Sequence, residues 1–405
     1  MKKKISKTAL VLWGATDLGP PNFSADILWR TGFKAPDPFF LVDILDEGDL
    51  IDFGKSYLLT GSLELERAKK EAKVDETVNL RDYMTKSRNG TDALANFLKK
   101  HGVRKIIVPD IFPCGTKDKL AKTFEVVLAP APFYPKRAVK TDWEIQEIEK
   151  AQRAVEIAVA KATDYLRSCR ILKDKIIYGS ELAEEKIIVT SEMLRKIIDD
   201  SLYGQGYLGI DTVVSCGLES ADPHCLGAGP LYAHQPIVMD VFPLSIKTHY
   251  YADMTRTVFK GEPSAELKRM YHSVLYVQET DIKKIKSGID GKTIYDGTIE
   301  DLKTQGYPTN TKTRPMEGLI HGVGHGVGID IHESPWITSV KWILQEGNVV
   351  TVEPGLYYQK ERTETIDTQG IPAGGIRIED MVLVTKTGCR NLTKFPKDLE
   401  SMIIP

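Results

Sequence analysis

Residues 321–336 read HGVGHGVGIDIHESPW, and three of the chain's eight histidines fall inside this one segment. GVGHGVG is not a phosphate loop, because the GxGxxG spacing requires glycine at position 327, where the chain has valine, and no good helix follows. Nor is it the helical HExxH of zinc proteases, since no second histidine follows His332-Glu333 at the required spacing. Glycines at this density disfavour a helix in any case. In extended backbone His321 and His325 keep the same parity and face one way, while His332 follows a further alternation in GIDIH. The glycines let backbone and substrate approach closely. A lone histidine here would more often be structural; three in one segment point to a site.

Acids decide what kind of site. Asp240 interrupts IVMDVF, Asp253 sits in YYADMTRT, Glu353 interrupts VVTVEPG and Glu379 interrupts IRIEDMV. One acid in a strand is commonly an edge residue, but ionised side chains in apolar runs are rarely buried without a partner or a metal. If the first two runs form a hairpin turning near Ile246 and Lys247, Asp240 and Asp253 lie directly opposite. Facing carboxylates repel unless a cation lies between them. Arg377, two residues before Glu379, projects from the same strand face and can steady a neighbouring carboxylate. Four acids plus imidazole make an oxygen-rich set that suits two divalent cations.

The rest of the chain frames this site. At 405 residues it suits about two domains. Lys plus Arg (54) and Asp plus Glu (56) nearly cancel, so no net field favours nucleic acid or an anionic membrane. MKKKISKTALVLWG starts like a signal peptide, but its apolar run, Ala9 to Trp13, reads as a first strand. No stretch approaches the roughly 20 apolar residues that cross a bilayer. Five scattered cysteines without CxxC spacing argue against a disulfide framework or thiolate zinc site, and the expectation is a soluble cytoplasmic protein.

Residues 1–134 alternate strand-like runs (ALVLW, FFLVDI, KIIVP, FEVVLA) with helical ones (LELERAKKEA, DALANFLKK), which predicts an α/β domain. Prolines 130, 132 and 135 mark the boundary. In 135–405, Thr141 to Glu144 form a capping box ahead of a helix to about Arg170, and further helices fit Glu181 to Tyr203, Ser264 to Lys286 and Ile294 to Thr304. Strand pairs PIVMDVF with HYYADMTRTVF, and NVVTVEPGLYY with GGIRIEDMVLVT, alternate with these helices. Helices then strands, twice, predicts an α+β domain with a duplicated helix–strand unit. The polar stretch 361–374 reads as a lid or a solvated loop.

HGVGHGVGIDIHESP followed by VEPGLYY and GIRIEDMVLVT resembles the pita-bread metallopeptidases, in the branch of aminopeptidase P, prolidase and creatinase. The resemblance spans about residues 137 to 400, and the preceding domain is similar to that branch's amino-terminal domain. It implies five ligands for a dinuclear centre: Asp253 and Glu379 bridging, Asp240 on one ion, His325 and Glu353 on the other. His224 and His332 match non-ligand active-site histidines, His321 a further one at the pocket wall, and Tyr357 and Arg377 supporting groups at the substrate site. The implied reaction is hydrolysis of an amino-terminal Xaa-Pro bond by a metal-activated hydroxide, with Glu353 shuttling the proton and His332 steadying the carbonyl oxygen. Manganese is the first expectation, with cobalt or zinc acceptable. The implied partner is a small peptide with proline second, and a homodimer is expected. A creatinase-like hydrolase of a small C–N bond and a non-catalytic peptide-binding relative stay open as alternatives. Asp240 is followed by Val241-Phe242 where Asp-x-Gly is common, so the substrate-side wall is expected to differ.

Overall fold

The apolar runs ahead of the proline cluster pair into one six-stranded sheet, in the spatial order Glu76–Asn79, Lys55–Thr60, Phe39–Leu45, Lys7–Gly14, Val103–Pro109, Glu125–Ala129. The computed structural model that shows this describes residues 7–45 except 18 and 20, 54–179 except 87, 186–361 and 370–405. Side chains alternate between two cores, as the two-residue period of a strand requires. Val11, Phe40 and Val42 pack with Leu94, Phe97 and Leu98 of helix Gly90–Lys100 on one face. Leu12, Leu41 and Leu58 pack with Ile27 and Ala68 of the short helices Ala25–Thr31 and Leu65–Glu71 on the other. The chain divides into two compact units, Met1–Arg137 and Ala138–Pro405.

The second unit opens on helix Asp142–Ser168. Thr141 accepts the Glu144 N–H, and the Glu144 carboxylate takes the Thr141 N–H at 2.7 Å, so both halves of the capping box form. The helix buries Ile145, Ile148, Val155, Ala158, Val159 and Ala162. The next helix is shorter than its pattern suggested. It runs Ser191–Tyr203 with Thr190 as its cap, while Ile187–Ile188 pairs as a strand with Lys175–Tyr178. β-branched Ile187, Ile188 and Val189 favour extended backbone, and tertiary pairing takes them out of the helix. The first residues of the predicted helix, 181–185, lie outside the described residues. Helices Ala265–Lys284 and Gly291–Thr304 follow as expected.

Two antiparallel sheets carry the site. One has the order Val213–Cys216, Ile237–Val241, Met254–Lys260, with Ile403–Ile404 added in parallel at its edge. The other has the order Glu333–Ile337, Gly324–Gly326, Val349–Val352, Asp380–Val384, Cys389–Asn391. Strands Gly355–Tyr358 and Gly374–Arg377 pair separately. The predicted Asp240/Asp253 register is corrected by two residues: Asp240 faces Thr255, and Val241 faces Met254. The connection is no simple turn, because Leu244–Ser245 leaves to pair with Tyr207–Leu208 and Leu244 also bridges Tyr251. A shift of two preserves parity, so Asp240 still shares a face with the Asp253 side of its partner strand. His249 is buried in this connection with its backbone at φ 62°.

Candidate metal centre

Three of the four acids sit where strands end and bend. Val349–Val352 leaves its sheet at Glu353-Pro354 and resumes pairing as Gly355–Tyr358. Gly374–Arg377 passes through Ile378-Glu379 before joining the other sheet as Asp380–Val384. Asp253 precedes Met254–Lys260, and only Asp240 lies within a paired strand. At such bends the main chain takes partners from elsewhere: Glu353 N–H donates to the Val323 carbonyl at 2.8 Å, and Glu379 N–H to the Thr255 carbonyl at 3.1 Å. The ends of both sheets therefore converge on one point.

His325 enters on the short strand Gly324–Gly326. A Cβ on Gly324 would strike the Thr351 carbonyl, and one on Gly326 the Ser334 carbonyl, so these glycines admit neighbouring backbone. His325 Nδ1 lies 3.1 Å from the Gly326 carbonyl and donates to it, which aims Nε2 at the cluster, 3.3 Å from Glu353 Oε1 and 3.6 Å from Asp253 Oδ2. Ligand atoms of Asp253, His325 and Glu379 all lie within 4.8 Å of one another. Asp240 joins through Thr255, whose hydroxyl oxygen is 2.9 Å from Asp240 Oδ1 and 2.8 Å from Glu379 Oε2.

Electrostatics of this cluster call for a cation. Burial, then the charges of Glu353 and Asp240, push Glu379 up to about 8. Burial and the neighbouring Glu379 raise Asp253 well above the ordinary carboxylate range. Burial would raise Glu353 too, but the His325 bond and charge outweigh it and bring it down to about 2. Among the described residues, Asp253 Oδ1 and Glu379 Oε1 are buried with no hydrogen-bonding partner. Orphaned carboxylate oxygens beside an aimed imidazole nitrogen, which offers its lone pair once its proton leaves, form a donor set that fits hard or borderline divalent cations.

A cavity of about 470 Å³ opens onto the cluster, and His224, His321, His332 and Arg377 line it beside all five expected ligands. Tyr357, expected at the substrate, is instead fully buried behind this wall. Its hydroxyl accepts from Arg377 Nη1 at 2.8 Å and lies 2.8 Å from His321 Nε2, while His321 Nδ1 faces the Gly322 carbonyl at 2.6 Å. Both His321 nitrogens are thus engaged, which makes that ring a fixed wall. Arg377 Nη2 also holds Asp240 Oδ2 at 2.6 Å. Its projection is towards the carboxylates, as the strand parity of 377 and 379 implied. His332 is less enclosed, its ring 4.3 Å from that of His325, and burial followed by the His325 charge lowers its pKa.

Several contributors escaped the sequence reading. Thr255, two residues after Asp253, carried the right parity but no charge to mark it. Thr351 accepts the His325 N–H at 3.0 Å. Lys140 forms a buried ion pair with Glu333, the neighbour of His332, across a sequence gap that no local pattern reveals. Phe242 and Trp336 line the cavity among apolar Met316, Ile320 and Ile331, so the non-glycine at 242 faces the cavity.

The sequence model of metallopeptidase family M24 matches residues 146–386. The Xaa-Pro dipeptidase of Pyrococcus furiosus is 31% identical over 265 residues, which are 65% of this chain and 65% of that protein, a little under two thirds of its length. Among solved structures, an Xaa-Pro dipeptidase from Bacillus anthracis superposes with a TM-score of 0.75 at 23% identity, covering 98% of this chain and 94% of that one. An X-Pro aminopeptidase from Thermotoga maritima MSB8 gives 0.73 at 23%, covering 97% of each chain. At these identities the structural likeness speaks to the fold, which is the pita-bread arrangement.

Proposed function

The chain belongs to metallopeptidase family M24, and from that premise we propose that it is an exopeptidase hydrolysing the Xaa-Pro bond at the amino terminus of a peptide. The observation that carries the reading is the convergence of Asp253, His325 and Glu379, with two buried carboxylate oxygens lacking partners. The names of the similar dipeptidase and aminopeptidase support the Xaa-Pro class.

Asp240, Asp253, His325, Glu353 and Glu379 would hold two divalent cations, which supply Lewis acidity that lowers the pKa of a water and polarises the scissile carbonyl. Every other task falls to side chains. Glu353, ionised at neutral pH, takes the proton of the attacking water and returns it to the proline nitrogen as the C–N bond breaks. That nitrogen carries no hydrogen in the peptide, so its departure requires this proton. His332, neutral because burial lowers its pKa, donates its ring N–H to the carbonyl oxygen as negative charge develops there. His224, itself exposed, borders the same cavity beside Asp222 and Pro223 and contacts substrate there. His321, held by Tyr357, keeps water and substrate on one side of the cluster.

The reading extends to manganese as the working metal, with cobalt and zinc accepted by the same donors. It also includes a cytoplasmic homodimer, with residues 1–134 as an amino-terminal domain and 135–405 as the catalytic one. No helix among the described residues is long and apolar enough to cross a membrane.

The test offers metal-loaded protein an Xaa-Pro dipeptide, an Xaa-Pro-Xaa tripeptide and creatine. Release of the free first residue from either peptide, abolished by chelation, is expected. Cleavage of creatine alone would transfer the site to small C–N substrates, and metal binding without any cleavage would leave a binding protein.

A further inference from the structure

Thr255 is fully buried in strand Met254–Lys260 and lies outside the expected ligand set and the cavity lining. Its hydroxyl nevertheless meets three site residues at once. The oxygen is 2.9 Å from Asp240 Oδ1 and 2.8 Å from Glu379 Oε2, and it accepts from Arg377 Nε at 3.0 Å. A hydroxyl has one proton, so it donates to one carboxylate at a time while accepting from the guanidinium. The two acids arrive on different sheets, Asp240 within Ile237–Val241 and Glu379 just ahead of Asp380–Val384. The main chain repeats the tie, since the Glu379 N–H donates to the Thr255 carbonyl.

We propose that Thr255 is a positioning residue whose hydroxyl fixes the spacing of Asp240 and Glu379 and selects the Glu379 oxygen presented to the metals. This rests on the metallopeptidase reading. With Thr255 facing Oε2, Oε1 is left buried and, among the described residues, without a hydrogen-bonding partner. Asp240 is held by Arg377 at Oδ2, and its Oδ1 shares the single Thr255 proton with Glu379 Oε2. Threonine suits the task better than serine because its branched Cβ restricts χ1, so the hydroxyl is delivered in one direction. Thr255→Val keeps that shape and removes the hydroxyl.

The experiment titrates Mn²⁺ into apo wild type, Thr255→Val and Thr255→Ser by calorimetry, with the thermal midpoint of each apo protein measured alongside. Loss of a hydrogen bond that orients a ligand typically weakens metal affinity about 10- to 100-fold. A loss of that size is expected for valine in at least one binding event, with serine restoring most of it and the apo midpoints close together. Valine binding as tightly as wild type overturns the inference, as does a loss that serine fails to recover. Should the valine protein not fold, Thr255→Ala removes the same hydroxyl without adding a group, and the same two outcomes apply. A wild type that binds no Mn²⁺ would instead overturn the metallopeptidase reading.

Discussion

His332 and His321 show how differently two histidines from one segment are used. His321 has both nitrogens engaged, by the Gly322 carbonyl and the Tyr357 hydroxyl, and serves as a wall. His332 lines the cavity with its pKa lowered by burial and by His325. His332→Ala is expected to lower kcat about 10²- to 10³-fold, the usual cost of removing one oxyanion donor. Metal content, measured on the same samples, should not change, because His332 is assigned no ligand role. At this scale the acids and histidines were legible, since charge in an apolar run is conspicuous. Thr255 was not, because it carries no charge to mark it, and Tyr357 came only through the family resemblance, since its strand alone reads as ordinary core.

Elements were legible where their determinants are local. The Thr141–Glu144 box is complete within four residues, and the helix behind it starts where that pattern placed it. Thr141→Ala should cost about 1 kcal/mol of stability, read as a lower urea midpoint at unchanged slope. An unchanged midpoint would mean that burial of the Ile145 and Ile148 face alone holds the first turn. Elements failed where distant partners decide. Ile187–Ile188 sits in a helical pattern but is claimed by the strand Lys175–Tyr178. The Asp240 register moved by two residues because Leu244–Ser245 is drawn off to Tyr207–Leu208, a pairing that turn arithmetic between the two runs does not contain.

Across residues 138–405, the order of helices then strands, twice over, produces two sheets that bring the proposed ligands to one cluster. That order was readable, and so was the pita-bread fold. How the sheets are pinned together was not: Arg256 donates to the carbonyls of both Thr255 and Glu379 and pairs with Asp380, and all three partners are remote in sequence or adjacent only through the backbone. Burial would raise Asp380, but Arg256 and Lys397 hold it down to about 2, so this lock is intact at the pH where the cluster works. The proposed function thus depends on acids from both halves meeting at one buried point where they would hold metal.

Asp253 tests that dependence most directly, because it lies at the centre of the cluster with an unpartnered oxygen. The measurement is the rate of free amino-acid release from an Xaa-Pro peptide by manganese-loaded wild type and Asp253→Ala, with both shown to be folded. Wild-type hydrolysis that chelation abolishes, together with loss of nearly all activity in Asp253→Ala, is the predicted result. Hydrolysis by Asp253→Ala at the wild-type rate would contradict the account.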